Sequence, residues 1–157
     1  MKVKLYLDTS IPSFLYATDA PEKQEITVEF WKFVELGMFD LYLSDVVLFE
    51  INRCEIDLRQ KLEDHLTKID FQIIEIDERV RMLAEKYVQE AIIPTKYFDD
   101  ALHLAAATYA EVDSVISWNF RHMVKLSTIR GVNGVNKMYG LKEIEILTPQ
   151  SWIDEKI

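Results

Sequence analysis

With 157 residues, 49% of them hydrophobic and 29% charged, the chain has the make-up of one globular domain spanning 1–157, long enough to bury about two-thirds of its unfolded surface. No apolar run approaches the ~18 residues of a membrane span, "MKVKLYLDTS" reaches an aspartate where a signal peptide needs an apolar stretch, and a single cysteine, Cys54, excludes an internal disulfide and a cysteine-based zinc site; a soluble cytoplasmic protein is expected. The net charge of −9 disfavours nucleic acid only on average: Ser114 to Lys142 holds no Asp or Glu but carries Arg121, Lys125, Arg130, Lys137 and Lys142, a basic tract on an acidic body.

Val3, Leu5 and Leu7 alternate toward Asp8, which predicts a short strand, and Ser10, Ile11 and Pro12 read as a helix entry with proline in its first turn. A helix is expected from Pro21 to Leu36, with Ile26, Phe30, Phe33 and Val34 as its apolar stripe and Gly37 at its end. Leu41 to Leu43 form a second strand, after which Ser44 or Asp45 caps the helix "VVLFEINR" that contains Glu50. A polar helix from Asp57 to Lys68, a strand "FQIIEI" and a helix from Glu78 to Ala91 follow, with a break at Pro94. "KYFDDALHLAAATYA" is apolar or alanine on nearly all sides and reads as a buried helix. "SVISW" is the next strand, with Asn119 at its end. "STIRGVNGVNKMYG" holds three of the four glycines and reads as loop, so 119–142 is expected to be a basic, glycine-containing segment. A strand within Glu143 to Leu147 and a capped helical turn in "TPQSWI" close the chain. Strands alternating with helices predict a mostly parallel sheet covered on both faces, a three-layer α/β/α sandwich.

In such sheets, sites form beyond the carboxyl ends of the strands. Asp8, Glu50, Asp99, Asp100 and Asn119 are all expected at that edge. Each has a structural alternative. Asp8 or Ser10 can cap the next helix, Asp99 and Asp100 suit the positive end of a helix dipole, and Glu50 can face solvent. Joint convergence has a cost, since two carboxylates about 4 Å apart repel by roughly 4 kcal/mol at an effective dielectric near 20. Magnesium is the natural relief, being a hard cation that binds through a few carboxylates and several waters. His65, His103 and His122 show no paired spacing and read as core or surface residues rather than zinc ligands. Neither a phosphate-binding glycine loop nor a dinucleotide fingerprint can be written with glycine only at 37, 131, 134 and 140. "LDTS" begins like the nucleophile strand of haloacid-dehalogenase-type phosphatases, but Ser10 stands where the second aspartate belongs, leaving a magnesium-dependent phosphatase as the lesser alternative.

Taken in order, "LYLDTSIPSFLY", "SDVVLFEI", "FDDALHLAAA" and "ISWNFRHM" resemble the PIN-domain family, near the toxin ribonucleases of VapBC-type toxin–antitoxin pairs. The resemblance implies a PIN-like α/β/α sandwich whose acids bind Mg²⁺ or Mn²⁺ and cleave RNA. It places the family's metal-binding acids on Asp8, Glu50 and Asp100 and the fourth catalytic position on Asn119, where many members carry aspartate. Thr9, Ser10, Asp99 and Ser117 become supporting candidates, and Arg121, Lys125 and Arg130 candidates for holding the RNA backbone. A small cognate antitoxin and a homodimer are the implied partners. Asparagine offers a neutral carbonyl in place of a carboxylate, so a permanently occupied two-metal site is not expected. The same departure motivates the rival reading, a non-catalytic PIN-like domain that binds RNA or protein.

Overall fold

The computed structural model describes residues 1–155. Five parallel strands make one sheet in the order β3-β2-β1-β4-β5, from β1 (Val3–Leu7), β2 (Phe39–Ser44), β3 (Gln72–Ile74), β4 (Ser114–Ile116) and β5 (Glu145–Leu147). Leu5, Tyr6 and Leu7 are each fully buried, although alternate residues of a strand point to opposite faces, so helices cover both sides of the central strand. This is the three-layer α/β/α arrangement that the alternating pattern predicts.

The connecting helices are α1 (Ser10–Phe14), α2 (Pro21–Glu35), α3 (Asp45–Asn52), α4 (Ile56–Thr67), α5 (Glu78–Gln89), α6 (Phe98–Tyr109), α7 (Leu126–Met138) and α8 (Pro149–Glu155), with a 3₁₀ turn at Thr95–Tyr97 before α6. Local chemistry sets their ends. Pro21 opens α2 at a position that needs no N–H, the Ser44 hydroxyl accepts from Val46 N–H to cap α3, and Asp77 accepts from Val80 N–H to cap α5. Gly37 follows α2 at φ +72°, a conformation that favours glycine at a helix end. Helix α2 packs on α1 and α8, with the Trp152 ring edge-on to Phe30, Phe33 and Phe39, while α5 lies against α6 and α7. Its buried stripe is Thr27, Phe30, Trp31 and Val34, so Trp31 takes the place expected of Ile26 and Phe33, which are only half-buried.

The largest departure from the sequence reading is α7, where "LSTIRGVNGVNKM" is helix and not loop. Its buried face is Thr128, Val132, Val135 and Asn136; two polar members break the hydrophobic signal, although the spacing is helical. Asn136 is fully buried because Tyr87 donates to its carbonyl at 2.6 Å and its amide donates to Thr108 Oγ1 at 3.1 Å. Gly131 is needed for close approach: a Cβ there would stand 2.8 Å from Ile92 Cγ1. β4 is also shorter than expected, ending at Ile116, so Asn119 lies in the loop beyond the strand.

Candidate active site

The chain winds outward from β1 through β2 to β3, then returns to the other side of β1 for β4 and β5. The carboxyl ends of β1 and β4 therefore flank a topological switch point, the place where open α/β sheets hold ligands. Leu7 pairs with Ile116 at the end of that ladder, and Asp8 N–H donates to the Ile116 carbonyl at 3.3 Å. This register sets Asp8 and Ser117 next to each other just past the sheet. The Ser117 hydroxyl donates to Asp8 Oδ2, while the backbone N–H and hydroxyl of Ser10 donate to Oδ1. Asp8 thus accepts from the first residue of α1 while Thr9 holds the cap position, and it stands at the switch point. Trp118 N–H donates to Ser10 Oγ and Asn119 N–H to Ser117 Oγ, each at 2.9 Å, so the two supporting hydroxyls tie the β4 loop to the β1 turn.

Glu50 arrives from α3 and finds the partners that a carboxylate among Val46, Val47, Phe49 and Ile51 requires. Thr9 Oγ1 donates to its Oε1 at 2.8 Å, and His103 Nε2 meets the same oxygen at 2.6 Å. His103 is buried in α6, and its Nδ1 shares a hydrogen bond of 2.6 Å with the Tyr6 hydroxyl, which in turn bonds Ser44 Oγ at 2.8 Å. A polar relay therefore runs from Glu50 through the core to the cap of α3. Sequence reasoning placed no role on His103 or Tyr6. The signal for His103 is its spacing, one helical turn after Asp100 and so on the same face of α6.

Asp100 enters from the first turn of α6, near enough to Asn119 for that side chain to favour its ionised form. The Asn119 Oδ1 accepts from His122 N–H at 2.9 Å, which ties the side chain to the loop beside Asp100 and leaves one lone pair on that oxygen. Asp99 lines a neighbouring cleft of about 390 Å³ with Asp45, Phe49, Arg81 and Phe98.

The charges are coupled. Burial raises the pKa of Asp8 above the usual carboxylate range, against the charge of His103 and the hydroxyls of Ser10 and Ser117. Burial raises Asp100 likewise, against His103 and the Asn119 bond, with the Glu50 charge adding to the rise. Burial would also raise Glu50, but the His103 bond and charge, with Thr9 and Arg53, outweigh it and hold Glu50 low. For His103 burial favours the neutral ring, and the Glu50, Asp8 and Asp100 carboxylates overcome that and raise it. Two hard-oxygen acids kept reluctant to ionise are a fitting donor set for a hard cation. Among the described residues no three His, Cys, Asp or Glu side chains stand close enough to close around an ion as they are placed.

Of the five cations in the basic tract, Lys142 pairs with Asp113 at 3.2 Å and Lys137 with Glu143 at 3.9 Å. Arg121, Lys125 and Arg130 are exposed and, among the described residues, in no ion pair. Among the described residues no helix is long and apolar enough to cross a membrane.

No family model matches the sequence, and no curated protein does. Solved structures do match. VapBC2 from Rickettsia felis, crystallised with a DNA fragment from its promoter, superposes at a TM-score of 0.57 with 11% identity, covering 93% of this chain and 98% of that one. VapC20 from Mycobacterium tuberculosis, a sarcin–ricin loop cleaving toxin, superposes at 0.55 with 13% identity, covering 89% and 98%. The fold is that of the PIN-domain VapC toxins.

Proposed function

We propose that the protein is a metal-dependent endoribonuclease acting at Asp8, Glu50 and Asp100, and the toxin of a toxin–antitoxin pair. The observation that carries this reading is a pair of charge-coupled aspartates at the switch point, Asp8 buried and Asp100 half-buried, in a fold shared with a cleaving toxin. Asp8, Glu50 and Asp100 would hold a Mg²⁺ or Mn²⁺ ion, one or two of them directly and the rest through bound water, and the ion when bound supplies polarisation of the phosphodiester and a lowered pKa for the attacking water. Ser10 and Ser117 fix both oxygens of Asp8, Thr9 and His103 fix Glu50, and Asn119, beside Asp100, would orient the metal or a water bound to it. Arg121, Lys125 and Arg130 draw in RNA backbone, and the acidic remainder of the chain keeps RNA from other faces. A small antitoxin as partner is supported by the VapBC2 complex; a homodimer is the assembly that the same reading proposes.

The rival reading is a PIN-like domain that binds RNA or protein without cutting. It draws on Glu50, whose Oε1 is already engaged by Thr9 and His103, and on Asn119, whose carbonyl serves the loop. Incubating the protein with end-labelled RNA in Mg²⁺ or Mn²⁺, and in EDTA, separates the two. Cleavage that EDTA abolishes is expected; intact RNA under every metal condition would establish the rival.

A further inference from the structure

We infer that Phe120, with Lys23 over its ring and Trp118 and Phe14 packed behind it, is a stacking platform that seats one unpaired nucleobase of single-stranded RNA beside the Asp8 and Asp100 carboxylates. The inference rests on the ribonuclease reading and adds the strand class and the residue that grips it. Phe120 follows Asn119 directly and keeps 47% of its surface exposed, whereas the adjacent Trp118 is buried. The ring is not a loose surface residue. Phe120 N–H donates to the Trp118 carbonyl at 2.9 Å, and the Asn119 carbonyl accepts from Met123 N–H at 3.1 Å and Val124 N–H at 2.8 Å, which fixes the loop that carries it. Behind it, Trp118 stacks on Phe14 at 6.0 Å and lies 6.1 Å from Phe120, and its indole N–H is anchored on Thr27 Oγ1 at 2.8 Å.

The charge around the ring selects the occupant. Lys23 Nζ lies 4.9 Å from the Phe120 centroid and 5.7 Å from that of Trp118, Arg121 is the next residue, and no acid occurs from Ser114 to Lys142. An exposed ring flanked by cations suits a nucleotide, whose base stacks while its phosphate meets the charge. The base must be unpaired, because in a duplex its faces are already covered by its neighbours.

The test is a titration of a short single-stranded oligoribonucleotide containing 2-aminopurine, in EDTA so that it is not consumed, with wild type, Phe120→Leu and Phe120→Trp. Wild type is expected to quench the fluorescent base on binding. Phe120→Leu keeps apolar bulk and loses the aromatic face, so affinity should drop about 5- to 150-fold and the quenching should vanish, with the melting temperature unchanged. Phe120→Trp should retain both. Equal affinity and quenching in Phe120→Leu, with wild-type cleavage intact, would overturn the platform while leaving the ribonuclease reading in place. A Phe120→Leu variant that binds RNA normally but changes sedimentation would mark the ring as a protein contact, also against the platform. Absence of both binding and cleavage in wild type would overturn both.

Discussion

Ser117→Ala is the substitution whose effect the site geometry fixes most closely. The Ser117 hydroxyl is fully buried, donates to Asp8 Oδ2 and accepts from Asn119 N–H at 2.9 Å. Removing one oxygen leaves a buried carboxylate without one of its donors and a backbone N–H without its acceptor. A hydrogen bond to a charged group contributes about 1.5–3 kcal/mol, and an orphaned buried amide costs about 1–3 kcal/mol when no water replaces the partner. A loss of about 2–4 kcal/mol is therefore expected, or roughly 4–16 °C in melting temperature for a chain of this size. Urea denaturation of wild type, Ser117→Ala, Asp8→Asn and the double variant at neutral pH forms a cycle that isolates the bond. In the Asp8→Asn background the acceptor is no longer charged, so Ser117→Ala should cost at least about 1 kcal/mol less. A cost below about 0.5 kcal/mol, or the same cost in both backgrounds, would show that Ser117 does not hold Asp8.

The coupled acids make a pH prediction. In EDTA, the penalty for ionising Asp8 and Asp100 is absent below the ordinary carboxylate pKa near 4 and develops as pH rises through their elevated folded values. The contribution of His103 is complete below about pH 6.5 and is lost as pH rises through its own elevated value, so metal-free stability should decline from pH 5 to pH 8. Glu50 works in the opposite direction, contributing above the ordinary carboxylate pKa and losing that contribution as pH falls through its depressed value. Asp100→Asn should flatten the decline and stabilise the metal-free protein by about 0.5–2 kcal/mol at neutral pH, and millimolar Mg²⁺ should raise the melting temperature of wild type more than that of the variant; a flat wild-type profile or equal metal responses would contradict the coupling. His103→Gln removes the buried partner of Glu50 and should cost about 3 kcal/mol in chemical denaturation, the low end for such a pair because Glu50 is partly exposed; a cost under 1 kcal/mol would mean that the pair holds nothing together. On α7, Gly134→Ala faces open space and should add about 1 kcal/mol, whereas Gly131→Ala meets Ile92 and should destabilise, so melting shifts of the same sign would refute the helix packing.

Much of this fold was legible from periodicity. The alternation in "VKLYL" and the all-apolar surface of "ALHLAAA" gave β1 and α6 because burial on every side leaves few alternatives. α7 was hidden because Thr128 and Asn136 take core positions and Gly131 and Gly134 lower helix propensity, so tertiary bonds to Tyr87 and contact with Ile92 decide its form. In the site, Asp8 at a strand end, Asp100 in a first helical turn and Glu50 among apolar neighbours each had a structural alternative, and it was the resemblance of the four motifs that singled out these three acids. His103 and Tyr6 could not, since a histidine and a tyrosine in apolar segments look like packing until the hydrogen bonds from Glu50 to Ser44 are drawn. Asn119 was expected at the end of β4, and the structure sets it three residues beyond that strand, where its side chain accepts from His122 N–H.

The central claim, that RNA is cut at the Asp8 and Asp100 cluster, is tested most directly by single-turnover cleavage of labelled single-stranded RNA in Mg²⁺ by wild type, Asp8→Asn and Asp100→Asn purified in parallel. The expected result is metal-dependent cleavage by wild type and a loss on the order of 100-fold or more in each variant, with folding intact by circular dichroism. Cleavage at equal rates in all three would place the activity outside this site and contradict the account.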